Sequence, residues 1–183
     1  MPTRDKHVLT ISSIPSGLVY YFIGTYKNFT FTPESQGILD GGKHFYAPQS
    51  MRDEQGRRVM FGWLREGRPD EALQAAGWAG AMSLPRILSL QPDDTLKIEP
   101  AAELTQLRRR HLTVAPQAVT GQRTVINQLS TNALEIILEI ESNAATSCGL
   151  EIQDSAYPQE GIRINLQATE LSIEQRGEEC ATA

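Results

Sequence analysis

Residues 37–65 read GILDGGKHFYAPQSMRDEQGRRVMFGWLR, and the fold turns on this stretch. Asp40-Gly41-Gly42 is a turn signal, because glycine reaches positive φ without steric cost. Phe45-Tyr46-Ala47-Pro48-Gln49 follows, an aromatic pair ending in a proline expected to stop regular pairing. Asp53-Glu54-Gln55-Gly56 is a second turn. Residues 58–64 alternate as a buried strand does, with Val59, Phe61 and Trp63 on one face and Met60, Gly62 and Leu64 on the other. Two short strands around a polar turn predict a hairpin. Tyr46 and Trp63 fall near its strand ends, where rings can line a pocket.

Working outward, residues 7–12 (HVLTIS) and 18–25 (LVYYFIGT) are rich in β-branched and aromatic residues and predict strands, with Pro15-Ser16-Gly17 turning between them. Residues 29–33 predict a short third strand. Residues 67–76 are polar and then alanine-rich, a loop with one helical turn. Residues 81–90 (AMSLPRILSL) predict a strand interrupted by Pro85, which suits an edge or a bulge. Pro92-Asp93-Asp94 turns into residues 95–99. Residues 100–110 (PAAELTQLRRR) carry Leu104 and Leu107 at i, i+3 and predict a short helix or a linker. From residue 112 onward period-2 alternation dominates. Leu134, Ile136, Leu138 and Ile140 share one predicted face. Ile162, Ile164 and Leu166, then Leu171 and Ile173, alternate with polar residues, as in an antiparallel sandwich.

The totals exclude several classes. With 183 residues the chain holds one large domain or two small ones. A net charge of −5 argues against a nucleic-acid partner, which needs a basic face. Cys148 and Cys180 build no disulfide framework. No apolar run approaches the roughly 18 residues of a membrane span, and residues 1–6 are no signal peptide. Asn28-Phe29-Thr30 matches a glycosylation pattern, read as chance without a secretory signal. His7 and His111 have no cysteine or carboxylate at ligand spacing, so no metal site and no cofactor are expected. The class that remains is a soluble, mostly β, cytoplasmic chain.

An ordered set of short pieces narrows this further. Leu39-Asp40-x-Gly42-x-x-Phe45-Tyr46-Ala47-Pro48-Gln49 is followed by Asp53-x-x-Gly56-Arg57-Arg58 and Gly62-Trp63. Trp78-Ala79-Gly80, Leu84-Pro85-Arg86 and Glu103-Leu104-x-x-Leu107-Arg108 come next, with Lys6-His7-Val8-Leu9 and Tyr21-Phe22-Ile23-Gly24 ahead. In this order they resemble glycoside hydrolase family 32, the β-fructofuranosidases: invertases, sucrose-6-phosphate hydrolases, levanases and inulinases. The resemblance runs roughly from Asp5 to Arg108 and is weaker beyond. It implies an all-β chain: the last blades of a five-bladed β-propeller over residues 1–99, a linker over 100–111, and a partial β-sandwich over 112–183.

The resemblance also implies a chemistry. Retaining hydrolysis of a fructosyl bond uses two carboxyl groups about 5 Å apart, one a nucleophile and one an acid/base. The family takes them from W-x-N-D-P-N-G and E-C-P motifs, and an R-D-P aspartate holds sugar hydroxyls. None of the three occurs in this sequence. Arg4-Asp5-Lys6 and Arg52-Asp53-Glu54 lack the proline. Glu179-Cys180 is followed by Ala181 and falls on the wrong side of the hairpin. The expectation is a fragment whose reading begins inside the propeller and which alone has no fructosidase activity. A non-catalytic fructan-binding module, or one half of a split enzyme completed by a second polypeptide, are the rival readings.

Tyr46 matches the family's sugar-contacting tyrosine and Trp63 its funnel tryptophan; as residues, both read equally as hairpin packing. His44 is a rim residue, Gln49 is within reach of a sugar hydroxyl or of backbone, and Trp78 is a packing residue or a subsite wall. Asp40 reads as a turn former. Arg57, Arg58 and the Arg108-Arg109-Arg110 run read as solvated charges. The partner this implies is sucrose or a fructan.

Overall fold

A computed structural model describes residues 5–119, 121, 124–126, 131, 133–141, 147–153, 161–167 and 170–176. Arg4, Glu179 and Cys180 lie outside them. The described chain is mostly sheet, and it divides into two compact units, Met1–Ala118 and Val119–Ala183.

The first unit holds two antiparallel sheets. Strands β1 (His7–Ser12), β2 (Val19–Lys27) and β3 (Thr30–Ile38) form a three-stranded meander in that order. Asn28 and Phe29 connect β2 to β3 with φ of 50° and 62°. Two left-handed residues in a two-residue loop match the right-handed twist of the strands they join. Phe29 was expected inside the third strand. It stands instead at the hairpin tip, 95% exposed, and β3 runs on to Ile38.

The second sheet runs β4 (Phe45–Arg52), β5 (Arg58–Leu64), β7 (Arg86–Leu90), β8 (Leu96–Pro100), with the two-residue β6 (Ala81–Met82) also on β5. The hairpin expected from residues 37–65 is therefore β4–β5. Pro85 falls in the gap between β6 and β7, as its missing N–H predicts. Pro48 does not end its strand. β4 continues past it, because the ladder shifts register between Tyr46 and Gln49 and proline needs no partner there.

Helix α1 (Asp70–Ala76) makes residues 67–76 more helical than expected. Asp70 and Glu71 favour its positive end, and Gly77, at φ 74°, closes it with an N–H to the Leu73 carbonyl at 2.9 Å. Residues Ala102–Leu107 form a 3₁₀ helix, tied to the body by the Ala101 N–H on the Pro85 carbonyl. Arg57, expected to be solvated, bonds Asp53 in the hairpin turn at 2.7 Å and Glu103 in the 3₁₀ helix at 2.7 Å. The Asp53 turn and the Glu103 segment lie far apart in sequence, so the pairing was invisible to local pattern.

The core of this unit lies where the two sheets meet. Val19, Leu39, Phe45 and Met60 form a buried cluster, with Tyr21, Tyr46, Leu64, Leu88, Leu96 and Ile98 packed against it. Met60 is on the face of β5 predicted to carry Met60, Gly62 and Leu64. Gly62 is required there: a methyl at its α-carbon would lie 2.2 Å from Cε2 of Phe45, so the ring rests on bare backbone.

In the second unit β9 (Cys148–Gln153), β10 (Gly161–Gln167) and β11 (Glu170–Arg176) form an antiparallel sheet ordered β11–β10–β9. Residues 134–141, expected as a strand, carry no ladder. Ile136, Leu138 and Ile140 nevertheless face Leu150, Ile164 and Leu166 across an open apolar hollow of about 410 Å³. Three of the four residues that the alternation put on one face, all but Leu134, line this hollow, whereas a strand also needs a bonding edge, and no described strand pairs with this segment.

Candidate functional site

Tyr46 and Trp63 are directly opposed cross-strand partners in the β4–β5 ladder. The next pair is Gln49 with Phe61, so β4 takes three steps where β5 takes two. Ala47 and Pro48 together oppose Gly62, which is a β-bulge. Ala47 has φ 44°, and its N–H leaves the ladder to bond the Ser12 hydroxyl of β1 at 3.1 Å. Side chains alternate along a strand, so Tyr46 and Gln49 would otherwise point to opposite faces. The bulge puts both on the Trp63 side, with Gln49 exposed.

The two rings differ in setting. Tyr46 is half-buried against the core, and the Arg65 guanidinium lies over it at 4.7 Å. Arg65 donates to the Gly17 carbonyl at 3.0 Å and the Lys43 carbonyl at 2.7 Å, so it ties two loops to the ring. Trp63 is 48% exposed. Its other neighbour in the sheet is Met82 of β6. Behind the pair, the Arg86 guanidinium lies 4.3 Å over Phe45 and binds Asp40 at 2.6 Å. Asp40 also accepts the Gly42 N–H at 2.7 Å, so it forms the expected turn and an ion pair that the sequence did not reveal.

The segment from Glu66 to Gly80 leaves β5, passes through α1 and returns to β6. Glu66 accepts bonds from Arg68 and from the backbone N–H groups of Gly67, Arg68 and Gly80. The Arg68 bond, then that of Gly80, holds the Glu66 carboxyl far below the usual carboxylate range. Arg68 lies over the Trp78 ring at 4.1 Å, and Glu66 in turn raises the Arg68 guanidinium. Gly80, at φ 67°, meets the Trp63 indole: a methyl there would lie 2.3 Å from Nε1. Trp78 is thus linked to Trp63 through Arg68, Glu66 and Gly80. His44 is exposed and stands beside Gly67, and its carbonyl accepts the Arg65 N–H at 2.8 Å.

Acid–base work on a glycosidic bond needs a carboxyl whose affinity for the proton is raised. The shifted carboxyls here move the other way. Burial draws Asp53 upward, but bonds from the Arg57 side chain and backbone outweigh it and leave it lowered. Glu103 is lowered by the Arg57 side chain, and that guanidinium is raised by both carboxylates. All three groups are ion-paired supports at the far end of the hairpin from Tyr46. Among the described residues, no group of three His, Cys, Asp or Glu could hold a metal ion. Also among them, no helix is long and apolar enough to cross a membrane.

The model of the Glycosyl hydrolases family 32 N-terminal domain matches residues 2–100. Sucrose-6-phosphate hydrolase of Staphylococcus xylosus is 31% identical over 158 residues, which are 84% of this chain and 31% of that protein. Sucrose-6-phosphate hydrolase of Vibrio alginolyticus is 36% identical over 115 residues, 61% of this chain and 24% of that protein. The crystal structure of a fructan 1-exohydrolase IIa variant from Cichorium intybus in complex with 1-kestose superposes with a TM-score of 0.52 and 30% identity. That match covers 57% of this chain and 22% of the other. The chain spans about a third or less of the length of these relatives. Its first hundred residues carry the domain's pattern, and the chain belongs to glycosyl hydrolase family 32.

Proposed function

We propose that the first unit is one wall of a fructosyl-binding site, and that in a whole enzyme this wall serves hydrolysis of the terminal β-fructofuranosyl bond of sucrose or a fructan. The observation that carries this is the opposed Tyr46–Trp63 pair at a bulge, with one ring fixed on the core and the other half open. A sugar presents an apolar C–H face that packs on such a ring, and hydroxyls that take polar neighbours. Gln49, on the same side, is the polar neighbour; His44 and Trp78 are rim positions. In this reading the two sheets of the first unit are propeller blades, and the second unit belongs to a β-sandwich. The names of the relatives, sucrose-6-phosphate hydrolases and a fructan exohydrolase, supply the substrate class.

The 183-residue polypeptide is proposed to bind without turnover, since the three motifs that carry the family's carboxylates are not in its sequence. Titration with sucrose and with 1-kestose, followed by calorimetry, tests the wall. Binding that disappears in Trp63→Ala and weakens in Tyr46→Ala, with no fructose released, is the expected result. Fructose release, or binding indifferent to both substitutions, overturns it. A second reading has its own support in the apolar residues left exposed in the first sheet, Val8, Leu9 and Ile11, and in its β1–β2 turn, Ile14. A separate polypeptide supplying further blades would cover them, and mixing the two would restore turnover.

A further inference from the structure

Glu66 makes more bonds than a surface carboxylate needs. Its Oε1 accepts from the Gly67 N–H at 3.0 Å, the Arg68 N–H at 2.8 Å and Arg68 Nε at 2.9 Å. Its Oε2 accepts from Arg68 Nη2 at 2.8 Å and the Gly80 N–H at 3.0 Å. The side chain is 19% exposed. One carboxylate thus joins the two ends of the Glu66-to-Gly80 excursion, and each end governs an indole. At one end Gly80 lies against Trp63, close enough that a methyl would collide with the ring. At the other, Arg68 covers the Trp78 ring and donates to the Trp78 carbonyl at 3.2 Å.

We propose that Glu66 is a positioning residue that sets where the Trp63 and Trp78 indoles stand, and so shapes the aromatic face offered to a sugar ring. The sugar part rests on the Tyr46–Trp63 reading above; the positioning part does not. Position matters for such a face because a ring gains from stacking only at contact distance, and a displaced indole loses most of it. Two routes act separately. The Gly80 bond fixes Trp63, and the Arg68 bonds fix Trp78. Helix α1 lies between them with no buried residue, so it contributes little to holding either ring. Far-reaching depression of the Glu66 proton affinity is consistent with a carboxylate kept ionised in this role.

The chain contains two tryptophans, so its indole emission reports on these two rings alone. Trp63→Phe and Trp78→Phe backgrounds separate the two signals. Glu66→Ala is expected to shift both emissions to the red and to open both rings to acrylamide. Arg68→Met, which leaves the Gly80 bond, and Glu66→Gln, which keeps an oxygen for Gly80, are expected to move Trp78 alone. Arg57→Ala, which breaks an ion network elsewhere, measures the effect of general loosening. Glu66 variants that leave Trp63 and Trp78 no more altered than Arg57→Ala does overturn the proposal, as does Arg68→Met moving both rings equally. Sucrose titration of Glu66→Ala should show binding about fivefold weaker or worse, the loss of one good contact. Wild-type protein that binds no sucrose would overturn the Tyr46–Trp63 reading, while the emission shifts would still decide the role of Glu66.

Discussion

Alanine at Gly62 and alanine at Gly80 each push a methyl into an aromatic ring, yet the consequences should differ. At Gly62 the new carbon lies 2.2 Å from Phe45 Cε2. Carbon atoms rest at about 3.5–4.0 Å, so the overlap exceeds 1 Å. Phe45 is 3% exposed and boxed in by Val19, Leu39 and Met60, so relief requires moving the core. The cost belongs at the upper end of overpacking, about 3 kcal/mol, a large share of the stability of a small domain. At Gly80 the distance is 2.3 Å, to Trp63 Nε1, but that indole is 48% exposed and can swing outward. What remains is a 3.1 Å approach to the Leu64 carbonyl oxygen and the left-handed backbone at φ 67°, together worth about 1–2 kcal/mol to a residue with a β-carbon. Urea unfolding followed by far-ultraviolet circular dichroism gives both free energies. Emission in a Trp78→Phe background follows the Trp63 ring. Gly80→Ala should be the milder lesion and the one that shifts Trp63. Equal destabilisation by both, with Trp63 emission unchanged in Gly80→Ala, would refute the packing argument.

Met60→Ala empties a site 1% exposed and should cost about 2–5 kcal/mol by the same assay. Phe29→Gly should stabilise by roughly 1 kcal/mol, read as a raised melting temperature, because glycine accepts the left-handed φ without strain. The 95% exposed ring has little packing to lose. The folded-state carboxyls of Glu66, Glu103 and Asp53 lie below their unfolded values, so the folded state binds fewer protons in mild acid. Their stabilisation is therefore present above about pH 4.5 and is lost as the pH falls from there toward the folded-state values. Melting temperatures should drop steeply over that window, and Glu66→Gln should flatten the drop; an unchanged slope would remove Glu66 from the account.

How much of this was legible depends on where each cause resides. Strand β5 was readable because Val59, Phe61 and Trp63 alternate with Met60, Gly62 and Leu64, and burial of one face follows from that period. Strands β1 and β2 were readable from their β-branched and aromatic content. The bulge was not, since Pro48 announces only a missing N–H and not how the ladder absorbs it. Phe29 was misplaced because aromatic content outvoted the two-residue loop that the register demands. Residues 134–141 show the limit of alternation, which chooses a face and leaves the bonding partner open. The Tyr46–Trp63 opposition is a matter of register, which no single strand contains. Glu66 gave no signal, because the Gly80 N–H that defines it belongs to the backbone, fourteen residues on. A carboxylate followed two residues later by arginine, at the mouth of a loop ending in tryptophan and glycine, is the trace it leaves.

The three steps from Tyr46 to Gln49, set against two on the opposite strand, let this arm take up one extra residue without turning over. Deleting Ala47 or Pro48 would set two steps against two, so Gln49 and Met51 would keep their side by plain pleating, and only the bulge, with the Ala47 N–H turned to Ser12, would be lost. A lone deletion at the bulge should therefore be tolerated, whereas a lone one between Gln49 and Arg52, where the strands run step for step, should turn the tip of the hairpin inside out.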